Sequence, residues 1–250
     1  MSDTRADDRA AVRVLDLWRH RLGAVPEALW ARTDWTTVVL AENDLTEVPP
    51  GFARMTALRT LDLGHNTLTR LPDDIGDLPA LTDFLYVHDN RLRELPDTLG
   101  HLNRLRYLNA GDNPLTRLPD TLGHMTSLVE LRAENCRLTT LPATLGGLRA
   151  LRELHLRGNR LSNLPESAAH LADLRQLDLR GNALTEVPAA VAALPRLRHL
   201  DLRANHITHV PDWVAQLPRL EKLDLRWNAP SAAPHDLVDT LERRGCAVLR

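Results

Sequence analysis

Lysine is almost missing from this chain: Lys222 is the only one in 250 residues, and arginine carries nearly all of the positive charge. The 31 basic and 33 acidic residues leave a formal net charge of −2, so no large field of one sign invites nucleic acid or an anionic membrane. Cysteine is scarce, with two residues, which excludes a disulfide scaffold. Cys136 and Cys246 lie more than four repeats apart. At ~4.8 Å per strand, a separation of roughly 20 Å is too far to bridge. Aromatic residues are few as well: five Trp, two Tyr and two Phe, so any core must be built from leucine. No uninterrupted apolar run approaches the roughly 20 residues of a membrane span. The opening "MSDTRADDRAAVR" lacks the apolar stretch of a secretory signal. No Asn-x-Ser/Thr site occurs among the many asparagines. These absences lead to the expectation of a cytoplasmic monomer with neither a membrane nor a nucleic-acid partner. The abundance of arginine and alanine points to a GC-rich bacterial genome.

What is present is repetition. "LDLRGNALTEVP" (177–188) is followed by "LDLRANHITHVP" and then "LDLRWNAPSAAP". With one asparagine per copy as reference, the positions are Asn43, Asn66, Asn90, Asn113, Asn159, Asn182, Asn205 and Asn228, with Cys136 in the missing slot. The steps are 23, 24, 23, 23, 23, 23, 23 and 23 residues, and stepping back 23 from Asn43 reaches His20 in a degenerate copy. Ten copies result. Leucine-type residues stand five and three places before the reference, the alternation of a short strand with one buried face. The reference side chain closes a turn and satisfies backbone groups of neighbouring coils. Ten of the sixteen prolines, Pro26 through Pro234, occupy the place six after it, where a missing N–H and a fixed φ end the ladder. The stretch that follows suits a helical turn or 3₁₀ segment. No copy can bury its apolar face alone, and stacking buries all of them in one column.

The pattern LxxLxLxxNxLxxLPxxLxxLxx resembles the leucine-rich repeat, in the 23-residue Leu-Pro form of intracellular Ras-related scaffold proteins and many bacterial proteins. The resemblance spans about residues 12–234. It implies an α/β solenoid, a horseshoe with a parallel β-sheet on the concave face and short helical or 3₁₀ turns on the convex face. It also implies a protein partner bound on the concave face. Residues 1–11 read as a polar tail, with Trp18, Trp30 and Trp35 forming a lid on the first coil. Residues 235–250 read as a capping helix that Gly245 stops, then a closing strand.

Specificity is then sought in the concave columns. Both tyrosines, Tyr86 and Tyr107, fall there on adjacent coils, with Phe84 and His88 beside them and Asn109, Arg132, His155 and Arg157 on the coils that follow. These eight residues are the expected partner-binding site, unless Phe84 tucks into the core. The one copy with an extra residue, "LTDFLYVHDN", lies in the same neighbourhood, and an inserted residue makes a bulge that re-aims side chains. An arginine ladder (Arg157, Arg180, Arg203, Arg226) runs beside an aspartate ladder (Asp178, Asp201, Asp224) and reads as mutual neutralisation. His65 and His88, near Asp89 and Asp112, read as solvated surface histidines, so no metal or cofactor is expected. The sequence carries no GxxxxGK[ST], HExxH, GxSxG or CxxC motif, and a non-enzymatic interaction module is the expectation. The alternative is a regulatory subunit of a kinase, phosphatase or small GTPase. A secreted bacterial effector is disfavoured, because effectors of the ubiquitin-ligase type resemble shorter 20-residue repeats fused to a catalytic domain.

Overall fold

The computed structural model describes residues 12–229 and 233–250. Residues 1–11, read as a polar tail, and the side chain of Trp30 lie outside the described parts. Among the described residues, eleven strands of three residues each form one parallel sheet in chain order. They are β1 (Val14–Asp16), β2 (Thr37–Val39), β3 (Thr60–Asp62), β4 (Phe84–Tyr86), β5 (Tyr107–Asn109) and β6 (Glu130–Arg132). The series continues with β7 (Glu153–His155), β8 (Gln176–Asp178), β9 (His199–Asp201), β10 (Lys222–Asp224) and β11 (Ala247–Leu249). The central residue of each strand from β2 to β10 is buried, as Leu61, Leu85, Leu108 and Leu131 show. Its two neighbours point to the concave surface, the period-two consequence of extended backbone. The leucine beyond the strand turns inward again and prolongs the ladder: Leu63 N–H donates to Tyr86 O at 2.8 Å.

Pro26, Pro72, Pro96, Pro119, Pro165, Pro188 and Pro211 each end the extended run and stand at the start of a 3₁₀ turn on the convex side, such as Asp97–His101 and Asp120–His124. Proline cannot donate, yet it accepts: Leu99 N–H reaches Pro96 O at 3.1 Å. Between the two sides lies a ladder of buried asparagines. Asn113 Nδ2 donates to Val87 O, Ala110 O and Gly111 O at 3.0–3.1 Å, and its Oδ1 accepts Leu92 N–H at 3.0 Å. One side chain thus ties its own coil to the preceding one at two points, Val87 and Leu92. Cys136 keeps a reduced version, with Sγ 3.3 Å from Glu134 O and 3.7 Å from Ala110 O. It is buried, and both cysteines are free.

The extra residue sits immediately before β4. Asp83 N–H donates to Arg59 O, whereas Thr82 O accepts from Arg106 N–H, both at 3.0 Å, so two residues share the place of one. The register beyond it is intact, with Leu85 opposite both Leu61 and Leu108. At the far end α1 (His235–Arg243) lays Leu237, Val238 and Leu241 on the column. Gly245 adopts φ 83° behind it, and β11 pairs with β10. At the near end Trp35 packs partly buried against the core, and the half-exposed Trp18 donates Nε1–H to Glu42 at 3.1 Å.

Candidate functional site

The concave columns bring three rings together. Phe84 and Tyr86 project from the same face of β4 with ring centroids 5.9 Å apart and planes nearly parallel at 12°. Tyr107 on β5 leans over both, 5.1 Å from Tyr86 and 5.5 Å from Phe84. Phe84 is 42% exposed, so it belongs to the surface platform and not to the core. Burial pushes the Tyr107 hydroxyl up to about 12 and raises that of Tyr86; both remain neutral hydroxyl groups at physiological pH.

The polar residues are organised more tightly than their spacing suggests. Arg132 Nε lies 2.6 Å from Glu130 Oε1, and its guanidinium is 3.6 Å from Glu134. Arg157 faces the same Glu134 at 3.6 Å. Asn109 uses its carbonyl to cap its own turn, accepting Gly111 N–H at 3.1 Å. His155 corrects the expectation: it is only 6% exposed, held 3.3 Å from Glu153 and 3.8 Å from Glu130. It therefore lies beneath the polar rim instead of forming it. Glu130, Glu153 and His155 place three ligand-type atoms within 4.8 Å of one another, but the Arg132 guanidinium already supplies a cation to Glu130.

His88 stands next to Tyr86, ring centroids 6.0 Å apart. Its Nε2 lies 3.2 Å from Nε2 of His65. Burial and the neighbouring His65 hold its imidazole below the ordinary range. The pair is thus in direct contact and not separately solvated.

The C-terminal strip is charge-paired. Arg203 binds Asp201 and reaches Asp224 at 3.4 Å, and Arg226 binds Asp224 at 2.7 Å. The aspartates have a second task. Asp178, Asp201 and Asp224 each accept the N–H two residues on, as do Asp16, Asp62 and Asn109. A short side chain folded onto its own backbone fixes the turn after the strand. That role was readable from the column in which these residues recur, as was Glu130, which the expected site omitted.

The sequence profile of a leucine-rich repeat region matches residues 42–157 and 133–243. No curated protein sequence matches. Among solved structures, the chain is similar to the ectodomain of the Arabidopsis thaliana receptor kinase GASSHO1/SCHENGEN3 in complex with CASPARIAN STRIP INTEGRITY FACTOR 2. Identity is 28% and the TM-score 0.76, over 89% of this chain and 28% of the other. The Arabidopsis receptor kinase HAESA, in complex with the peptide hormone IDA and the co-receptor SERK1, shares 26% identity at TM-score 0.75, over 89% of this chain and 39% of the other. An internalin (inlF) from Listeria monocytogenes shares the fold at 22% identity and TM-score 0.71, over 87% of this chain and 61% of the other. The chain therefore spans 28–61% of the length of these structures. A profile covering most of the repeat array, a single parallel sheet with 3₁₀ turns behind it, and these neighbours agree: the chain belongs to the leucine-rich repeat proteins.

Proposed function

We propose that the chain is a monomeric, cytoplasmic protein-interaction module that binds a protein segment on its concave face, centred on Phe84, Tyr86 and Tyr107. The observation that carries this reading is the ring cluster itself. Three of the chain's nine aromatic residues, five Trp, two Tyr and two Phe, meet at one place on the concave face, with Phe84 exposed and both tyrosines half-buried. Aromatic rings offer large contact area with few rotors to freeze, which is why they anchor interfaces. Glu130, Arg132, Glu134 and Arg157 frame the rings with charges already fixed by one another, a rim that can select a partner without reorganising. The peptide-bound state of similar structures supports a protein ligand. The site offers binding surface, and binding is the output.

The test is affinity capture from a lysate of the source cell, with recovery quantified for wild type, Tyr86→Ala/Tyr107→Ala and His124→Ala on the convex turn. The double variant is expected to lose at least about 2 kcal/mol of partner affinity, the hot-spot scale, and His124→Ala none. Retention by the tyrosine variant together with loss in His124→Ala would move the site to the other face.

A further inference from the structure

We propose that His65 and His88 form a binding site for a single first-row divalent transition ion of the zinc class, with open coordination positions toward the concave solvent. The two Nε2 atoms face each other at 3.2 Å. Two imidazole nitrogens on one tetrahedral metal at ~2.0–2.1 Å stand about 3.3 Å apart. The side chains need hardly move to admit the ion.

The surroundings match what a ligating histidine requires. Asp89 Oδ2 lies 2.6 Å from Nδ1 of His65. A carboxylate on the far nitrogen fixes the tautomer so that Nε2 presents its lone pair. His65 holds φ 51°, a left-handed conformation, and its N–H still donates to His88 O at 3.0 Å. The backbone thereby locks the two residues side by side. The ring of His88 lies over Gly64: a Cβ there would sit 2.5 Å from His88 Cε1. The missing side chain is the room in which His88 is seated. Asp62 Oδ1 would lie 3.1 Å from the same Cβ, so a carboxylate flanks the pair and lowers the cost of added positive charge. Two nitrogen donors leave the remaining positions to water or to a group brought by another molecule, one more than the single open position of a three-ligand zinc site. Imidazole donors favour zinc, copper, nickel and cobalt over magnesium and calcium. The inference stands independently of the aromatic platform, although the site borders it at Tyr86.

The experiment is isothermal titration of the full chain with zinc chloride, paralleled by cobalt(II) absorption and by melting temperature with and without zinc. One saturable ion per chain, a visible cobalt(II) band and a zinc-dependent rise in melting temperature are expected. His65→Gln and His88→Gln should each abolish all three, and Asp89→Asn should weaken binding about tenfold. Gly64→Ala should weaken it by displacing the His88 ring, and His206→Gln should change nothing. Circular dichroism verifies that each variant is folded. Absence of saturable binding in the wild type would overturn the proposal, as would binding that survives His65→Gln/His88→Gln. Loss in Glu153→Gln with retention in His65→Gln would also overturn it, since the ion would then belong to the Glu130–Glu153–His155 cluster.

Discussion

Cys136 shows how much one slot can demand. The place calls for a side chain that donates to three carbonyls and accepts an N–H from the preceding coil, as Asn113 does. Sulfur performs those tasks weakly. Burial pushes the Cys136 thiol up to about 11 from an ordinary value near 9. The neutral thiol is favoured by folding, so this contribution is complete below about pH 9 and drains away as pH rises toward 11. Relative to Cys136→Asn, the wild type should lose on the order of 1.4 kcal/mol per pH unit across that window. Denaturant titrations at about pH 8 and about pH 11 measure it; a constant difference between the two proteins would refute the placement. At neutral pH Cys136→Asn should stabilise, and native Cys136 should react with thiol reagents only after unfolding. Cysteine's place in the asparagine series was legible from spacing alone. The burial of His155 was not, because a column position tells which way a side chain starts out and not how far its neighbours cover it.

At the scale of the element, the strand was the easiest part to read. Leu-x-Leu fixes which residues enter the column. Leu131→Ala in β6 should cost roughly 2–5 kcal/mol, whereas Arg132→Ala, one residue on, should cost less than about 1 kcal/mol because its ion pairs are partly exposed. Equal losses by denaturant titration would mean a register error of one residue. The turn after the strand was harder. His65, Asp89, Asp112, Asn135, Gly158, Gly181, Ala204 and Trp227 occupy the same position, and all adopt a φ between 49° and 68°. Six of the eight are His, Asp, Asn or Gly, the types that best tolerate a left-handed backbone, but Ala204 and Trp227 are not, so the column announces the conformation only in part. The cause is the ladder: Gly181 N–H donates to Arg203 O and Ala204 N–H to Arg226 O, and only a left-handed residue can donate there while closing the turn. Replacing Ala204 with Gly should therefore stabilise by up to about 1 kcal/mol, and Gly181→Ala should cost a similar amount. Melting temperatures decide it, and a gain in Gly181→Ala would contradict the strain argument. The inserted residue and its place before β4 were both countable in the sequence, because Leu81 and Leu85 stand four apart where Leu58 and Leu61 stand three apart.

Across the whole molecule, charge is balanced locally. Two rungs of the arginine ladder that could have met phosphate, Arg203 and Arg226, are engaged by Asp201 and Asp224, and the net charge is −2. Generic DNA or RNA near physiological salt should show affinity no better than about 10⁻⁴ M in mobility shift, the weak non-specific limit. Tight, salt-steep binding lost in Arg203→Ala/Arg226→Ala would reverse that conclusion. The sheet register also has a mechanical meaning. Neighbouring strands from β1 to β10 are offset by 23 residues, save 24 between β3 and β4, for instance Leu131 opposite Leu154 and Leu61 opposite Leu85. Each coil is held only by the coils beside it. Pulled from its two ends in an optical trap, the chain should peel coil by coil and lengthen in near-equal steps of about 76–83 Å of contour, 23 residues at ~3.3–3.6 Å each. Such a chain is a ratcheted tether, able to give up one measured length under load while the coils behind it keep their shape.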